Sequence, residues 1–570
     1  MRDIENQLKG AAAMKKGSKL TLVSATICAL ALLASGCGGG GTNTEGAEQS
    51  SSSQPSSNTV VSVHGCEPAQ PLIPSSTAES CGGQVVNAIN SRLVRFDDQG
   101  KARNDLASEI KGNDDMSQYR ITLADGRKFS DGTSITAKSF TRAWSWSANV
   151  TNGQLNASFF SNIKGFDELQ KQGVPADAQF SGLRVIDDKT FTVDLSSPSS
   201  TFPIQVGYMA FAPLPESFYK DPKAYGENPV SSGPYKFESW QHNGMIKLGK
   251  NSDYNGDVKV QNGGIDYKVY TDLGSAYSDV QAGNLDVIDR IPTSAVKTFM
   301  TDSMVQSYNK PGSGLQMFTI PTAMEHFGQD QEGHLRRQAI SMAIDRKMLI
   351  DKVLGGLGVQ PTDFTAPTIP GYAKSLKGSD NIKYNAKKAK EYWSKADAIS
   401  QWPADRTFRM LYNADGGAKD FYDGMANSIK NTLGIKAEAT PVPTFSEFRG
   451  NVKKRLYNDA AFRSSWSPDY PSPETYLMSN FASSAADGNG SNDGDYKNPK
   501  FDALLQQAAK AKDTDEANKF FQQSEEILLQ DMPAVPLYYA NNTGASAKMV
   551  HGMRLGWDGF PIFAELSKDQ

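Results

Sequence analysis

Apolar residues recur at two different periods along the chain, and the period changes from segment to segment. Alternation of apolar and polar residues over Tyr119–Leu123, and of apolar residues with Ser62 in Val60–Val63, predicts strands, because successive strand side chains face opposite sides. Over Leu335–Leu354 the apolar residues return every three or four positions, which predicts one long helix. Strands and helices interspersed in this way indicate an α/β protein.

Capping residues mark where several further helices begin or end. Thr136 and Asn385 each stand directly before a helical pattern, in the N-cap position where a side-chain oxygen accepts a free backbone N–H. The segment Asp420–Leu433 is followed by a glycine, as helix ends commonly are. Asp513 and Glu516 have the spacing of a capping box and predict the start of the last long helix.

The amino terminus has the parts of an export signal. An apolar run, Leu20–Leu33, follows a lysine-rich segment and is too short for a comfortable membrane span. Asp3 and Glu5 are unusual in a signal, so Met14 is an alternative start. We therefore predict a signal peptide over residues 1–36 and an exported protein.

The end of the apolar run, LASGC, resembles the lipobox of bacterial lipoproteins. By that resemblance Cys37 is the lipidated residue, and residues 37–59 are the lipidated cysteine and a Gly/Ser-rich flexible tether. Each acyl CH₂ buried in the bilayer contributes about 0.8 kcal/mol. We expect anchoring to the outer face of the bacterial cytoplasmic membrane, by the lipid alone; a soluble, periplasmic or secreted protein is the alternative.

Two cysteines remain in the mature chain, Cys66 and Cys81. Thiols in exported proteins usually pair, and closing a loop of this length stabilises a fold by about 3 kcal/mol. A metal site is the alternative, with His64 as the only nearby additional ligand, but the spacing fits no zinc pattern. We predict a disulfide.

Composition and missing motifs limit the possible functions. The 570-residue chain has a formal net charge of −4, which argues against nucleic acid as the main partner. The sequence contains no GxxxxGK[ST], HExxH or GxSxG motif, and its five histidines are scattered. We therefore expect no enzymatic activity, no cofactor and no metal; an exported hydrolase is the alternative from a different class.

One short stretch, Phe462–Leu477, concentrates groups that could hold a ligand: Arg463, Trp466, Asp469 and Tyr470. Its three prolines predict an extended, stiff segment rather than a helix. A carboxylate in such surroundings suits capture of an ammonium group. An Asp that caps a proline-rich turn is the alternative, and on these residues alone it is the commoner role.

Longer segments resemble a known family. LADGRKFSDGTSITAKSFTRAW, SGPYKFESW, RRQAISMAIDRKMLIDKVLGG and PAVPLYY occur in this order. They are similar to signature segments of the solute-binding proteins that serve oligopeptide, dipeptide and nickel ABC importers. The resemblance extends from Val60 to the end of the chain.

The resemblance implies an α/β, periplasmic-binding-protein-like fold, in which two lobes joined by a hinge close on a solute and an extra domain is inserted in the first lobe. We expect the first lobe to comprise three parts and the remaining residues to divide between the inserted domain and the second lobe. The expected boundaries are 60–97, 215–320 and 538–570 for the first lobe, 98–214 for the inserted domain and 321–537 for the second lobe.

The resemblance also implies a function and a site. Through the segment WSPDY, Asp469 matches the carboxylate that pairs with a peptide α-ammonium, with Trp466 and Tyr470 beside it. Arg463 matches a residue that meets the ligand's carboxylate end in some members; a surface ion pair is the alternative. The expected partners are an oligopeptide and the permease subunits of an ABC transporter, and we expect a monomer. An oligosaccharide or a metal chelate remains an alternative ligand.

Overall fold

The computed structural model describes residues 58–569. The predicted signal peptide, the predicted lipidation site Cys37 and nearly all of the tether lie outside the described residues. Within residues 58–569, no helix is both long enough and apolar enough to cross a bilayer.

Strands and helices alternate along most of the described chain, which confirms the α/β class. The strands are β1 (Val60–Gly65), β2 (Val94–Phe96), β3 (Ala102–Asn104), β4 (Ala107–Gly112), β5 (Gln118–Leu123), β6 (Leu183–Asp187), β7 (Thr190–Asp194), β8 (Tyr235–Gln241), β9 (Met245–Lys250), β10 (Gly264–Val269), β11 (Val287–Ile288), β12 (Val305–Thr319), β13 (Gly358–Val359), β14 (Thr407–Asn413), β15 (Lys436–Val442), β16 (Ala461–Trp466), β17 (Ala534–Ala547), β18 (Val550–His551) and β19 (Ser567–Lys568). The helices are α1 (Ser80–Ile89), α2 (Ala137–Ala148), α3 (Phe166–Leu169), α4 (Phe202–Gln205), α5 (Pro222–Glu227), α6 (Leu273–Ala282), α7 (Gln331–Met342), α8 (Arg346–Lys352), α9 (Ala386–Asp397), α10 (Lys419–Leu433), α11 (Phe445–Lys453), α12 (Pro473–Phe481), α13 (Pro499–Ala509) and α14 (Thr514–Asp531).

The capping signals located most predicted helix ends. Helices α2 and α9 begin directly after Thr136 and Asn385, and α10 ends at Leu433. The N-cap of α14 is Asp513, whose carboxylate accepts the backbone N–H of Glu516 at 2.8 Å. These helix predictions are confirmed.

The prediction of one helix over Leu335–Leu354 is wrong. Helix α7 ends at Met342 and α8 begins at Arg346. Asp345 separates them, because its carboxylate caps α8 by accepting the N–H of Met348 at 3.0 Å. Both helices bury their apolar faces in the same core, so the apolar period continues through the break.

Among the described residues, eleven strands form one mixed sheet, with β13 beside the main path on β17. Its order is β15-β14-β16-β12-β17-β11-β1-β10-β9-β8. Strand β1 is parallel to β10 and β11, and β14 is parallel to β15 and β16. We call the half from β11 to β8 the first lobe and the half from β15 to β16 the second lobe.

Two long antiparallel strands, β12 and β17, connect the lobes. On the first-lobe side, β12 pairs with β17 from Val305 to Pro311. On the second-lobe side, from Leu315 to Thr319, it pairs with both β17 and β16. Pairing is interrupted between Pro311 and Leu315. A Cβ on Gly312 would lie 2.7 Å from the backbone oxygen of Ala540, so only glycine fits this close approach. The interruption breaks the backbone pairing within the connection between the lobes.

A separate antiparallel sheet, β4-β5-β7-β6, packs against α2 with its own apolar core. Trp144 of α2 is fully buried in this core among Phe140, Phe191 and Phe211. The region lies within residues 98–214, where we expect the inserted domain; those boundaries stay a prediction.

Candidate functional site

Asp469 lies on a short loop that is fixed at both ends. The loop leaves β16, which pairs with β12 and β14 inside the large sheet, and enters α12. Ser472 caps α12 by accepting the N–H of Glu474 at 3.2 Å, and Pro473 occupies the first helical position. Proline is tolerated there because that N–H has no helical partner. The prediction that the whole of Phe462–Leu477 is extended is therefore wrong for its last turn.

The loop lines a cavity of about 500 Å³ between the lobes. Ser467, Pro468 and Asp469 form its second-lobe wall. The opposite wall comes from α1 and from residues far away in sequence, including Arg92, Phe96, Tyr208, Trp557 and Asp558. We call this space the interlobe cavity. It places Asp469 where a small molecule would touch both lobes.

Asp469 also borders a larger cavity, of about 860 Å³, between the region of the small sheet and helices α12 and α13. Its lining contains seven serines but no lysine or arginine. We call it the serine-rich cavity. Asp469 thus lines both cavities, and Tyr470 lines only the serine-rich one.

The Asp469 carboxylate has no compensating partner. It is accessible from the cavities, but protein surrounds it on most sides, and this burial raises its pKa to about 6. Within residues 58–569 it accepts no hydrogen bond and forms no ion pair; the neighbouring hydroxyls belong to Tyr208 and Tyr470. An unpaired carboxylate stabilises a cation placed against it.

Tyr470 is held by the protein itself. Its hydroxyl donates to Glu474 at 3.0 Å, and Thr201 donates to the same carboxylate oxygen at 2.5 Å. Burial raises the pKa of Glu474. The contact with Thr201 joins α12, in the second lobe, to the segment just before α4.

The structure does not bring Arg463 and Trp466 to Asp469. Both line a third cavity, of about 210 Å³, which lies inside the second lobe. Arg463 donates to the side-chain oxygen of Asn413 at 3.1 Å and forms no ion pair within the described range. The four predicted ligand-binding residues therefore divide into two pairs on different cavities.

No local sequence pattern predicted the residues that form the opposite wall of the interlobe cavity. Tyr208, Trp557 and Asp558 come from segments on either side of the second lobe in the chain. A glycine-flanked Asp next to aromatic residues, as in GWDGF, is typical of a turn and nothing more. Only the sheet order, which returns the chain to the first lobe after β17, brings this turn to the cavity.

A disulfide joins Cys66, directly after β1, to Cys81 in the first turn of α1, with the two Cα atoms 5.1 Å apart. His64, the ligand that a metal site would have needed, instead contacts Asp289, with Nδ1 and Oδ1 separated by 2.9 Å. Because Ser80 and Gly83 of α1 line the interlobe cavity, the disulfide supports one of its walls.

Replacing both cysteines by serine is expected to lower the free energy of unfolding by about 3 kcal/mol, because the unfolded chain regains the freedom that the cross-link removes. Urea denaturation of the double variant measures this loss. Wild-type protein treated with a reductant is the control and is expected to unfold at a similar urea concentration. A double variant as stable as the oxidised wild type would contradict the prediction.

Comparison with known protein families identifies the chain. Residues 101–488 match the model of the bacterial extracellular solute-binding proteins, family 5 Middle. The chain belongs to this family. Among relatives of the family, the oligopeptide-binding protein OppA of Bacillus subtilis (strain 168) is 26% identical over 551 residues, 95% of this chain and 97% of that protein.

Solved structures with the same fold include two proteins from this group of relatives. The periplasmic murein tripeptide binding protein MppA, in an unliganded open form, gives a TM-score of 0.79 at 21% identity, with 90% of this chain and 98% of that chain covered. AppA of Bacillus subtilis in complex with a nonapeptide gives 0.66 at 21% identity, with 91% and 100% covered. These likenesses confirm the periplasmic-binding-protein-like fold with two lobes.

Proposed function

We propose that this family 5 solute-binding protein captures oligopeptides between its lobes and delivers them to the permease of an ABC importer. The observation that carries the proposal is Asp469, an unpaired carboxylate on the wall of the interlobe cavity. A peptide's α-ammonium is the complementary group. The peptide names of relatives such as OppA, which align over nearly the whole chain, support the same ligand class.

In this proposal the lobes close on the peptide by bending where β12 and β17 lose their pairing. Closure removes water from the pair formed by the ammonium and Asp469, which strengthens it. The serines around the second cavity offer hydrogen bonds directly or through water, so the rest of the peptide is bound with little regard to sequence. The chain itself binds and releases its ligand without cleaving it, and the transporter supplies the energy.

We further propose that the mature protein is a monomer anchored by lipid on Cys37, and that the domain boundaries are those expected from the sequence. The flexible tether would let the folded body reach the permease while it stays attached to the membrane. Metabolic labelling with a fatty acid, compared between wild type and Cys37→Ala, tests the anchor; equal labelling of both would contradict it.

A thermal-shift panel of peptides, oligosaccharides and metal chelates tests the ligand class. We expect only peptides to raise the melting temperature, since a ligand at about 100 times its Kd stabilises the fold by about 2.7 kcal/mol. Peptides recovered intact after incubation would agree with a receptor, whereas cleaved peptides would support a hydrolase. A rise with sugars or chelates alone would contradict the peptide assignment.

Affinity for a peptide without basic side chains is expected to depend on pH. The Asp469 carboxylate, with a pKa raised to about 6 by burial, must be ionised to pair with an ammonium. Affinity is therefore highest between this pKa and that of the peptide α-ammonium, about 7.7–8.0, and it falls as the pH drops through the lower value, by at most about tenfold per pH unit. Calorimetry between about pH 8 and pH 5 measures the effect.

The control for this pH dependence is Asp469→Asn. Four other charged or titratable groups line the same cavity, Glu79, Arg92, Tyr208 and Asp558, and they are unchanged in the variant. We expect the variant to bind weakly and to lose most of the dependence. An equally steep dependence in the variant would assign the titration to another group.

A further inference from the structure

The interlobe cavity contains a second carboxylate, Asp558, that the proposed peptide anchor does not use. Asp558 lies in the turn Gly556–Phe560, where its Oδ1 accepts the N–H of Phe560 at 3.1 Å. The turn is held to the first lobe by Asn542 of β17, which donates to the backbone oxygen of Gly556 at 2.9 Å. Asp558 and Asp469 therefore line one cavity from opposite lobes.

Asp558 resembles Asp469 in its surroundings. Its side chain is accessible from the cavity, yet burial by the neighbouring protein raises its pKa to about 6. It forms no ion pair with any residue of the described chain. The positive charge of Arg92 lowers the pKa of Asp558, but by less than burial raises it. A carboxylate without an ion-pair partner favours a cation placed against it.

Of the other charged groups of the cavity, Glu79 is engaged by backbone N–H groups, whereas Arg92 bonds only a neutral amide oxygen. The Glu79 carboxylate accepts the backbone N–H groups of Cys81 at 2.5 Å and Gly82 at 3.0 Å, as the N-cap of α1. Arg92 donates to the side-chain oxygen of Asn87 at 2.7 Å. With three carboxylates and one guanidinium in its lining, the cavity carries net negative charge, and within residues 58–569 neither Asp469 nor Asp558 has an ion-pair partner; Asp558 accepts the backbone N–H of Phe560 through Oδ1.

Aromatic rings complete a lining that suits a cation on an apolar stem. Phe96, Tyr208, Trp557 and Phe560 line the same cavity. Phe96 and Trp557 pack edge to face, with ring centroids 5.6 Å apart. Ring faces attract ammonium and guanidinium groups, and the methylene stem of a lysine or arginine packs well on them.

We propose that Asp558 is a second cation-binding residue, and that the protein therefore selects oligopeptides with a lysine or arginine close to the amino terminus. The inference rests on the proposed function, because it assigns the α-ammonium to Asp469. A cavity of about 500 Å³ holds only a short part of a peptide, so a charge that reaches Asp558 belongs to one of the first residues.

The test compares alanine-based peptides that carry lysine at the first, second or third position with the same peptides carrying norleucine there. Norleucine keeps the methylene stem and lacks the charge. Calorimetry on the wild-type protein is expected to give about tenfold tighter binding for lysine in at least one position. Asp558→Asn should reduce that preference to about twofold or less, with a smaller effect on the norleucine affinities than on the lysine affinities.

Two further variants make the test decisive. Asp405→Asn removes an exposed carboxylate that lines none of these cavities, and it should keep the full lysine preference. Asp558→Ser retains an acceptor for the turn and substitutes for Asp558→Asn if that variant does not fold.

Equal affinity for lysine and norleucine at all three positions, or a preference that survives Asp558→Asn, would overturn the inference while leaving peptide binding intact. A wild-type protein that binds none of the peptides would overturn the proposed function as well.

Discussion

Asp469→Asn is expected to weaken the binding of every oligopeptide by about tenfold or more, and by a similar factor for each. The amide keeps the size of the side chain but removes its charge, so the peptide ammonium would be desolvated on closure without an ionic partner. An uncompensated buried charge of this kind costs several kcal/mol. Calorimetry with a series of peptides of unrelated sequence measures the loss.

The matched control is Asp405→Asn, which makes the same change of charge at an exposed position outside the cavities. It should bind the whole peptide series as the wild type does. Unchanged binding by Asp469→Asn would remove the anchoring role. A loss confined to particular peptide sequences would mean that Asp469 reads a side chain rather than the α-ammonium.

Trp144→Ala is expected to have the largest effect on stability, a loss of about 3–5 kcal/mol in the free energy of unfolding. The Trp144 side chain is fully buried, and its ring packs edge to face on Phe191 and Phe211 with centroids 5.7 Å and 5.1 Å away. Its indole N–H also donates to the backbone oxygen of Phe211 at 2.9 Å. Alanine leaves a large cavity and an unsatisfied buried carbonyl. Urea denaturation measures the change.

Leu155→Ala is the control for that prediction. Leu155 lies in the same part of the chain, but 56% of its surface is exposed. Its replacement should change the unfolding free energy by no more than about 0.5 kcal/mol. A similar loss for Leu155→Ala and Trp144→Ala would contradict the view that the packing of α2 on the small sheet holds this region together.

The sequence predicted elements well where the signal was local. The N-caps Thr136, Asn385 and Asp513 located three helix starts, because a cap acts on backbone groups within the next turn. The break between α7 and α8 was missed, although Asp345 is also a capping residue. Apolar periodicity registers only burial, and both helices bury their faces in one core.

The site was predictable only on one side. Asp469 and Tyr470 could be chosen because they are close in sequence and resemble a family segment. Trp466 and Arg463 were grouped with them for the same reason. Those two residues belong to β16, whereas Asp469 and Tyr470 lie on the loop after it, and the side chains of the strand line a different cavity. The wall that carries Asp558 depends on long-range strand order, which no local pattern reports.

The most direct measurement is a crystal structure of the protein with a bound oligopeptide. The account predicts a peptide held between the two lobes, with its α-nitrogen within about 3.2 Å of an Asp469 carboxylate oxygen. A peptide whose amino terminus lies elsewhere, with Asp469 facing only water, would contradict it.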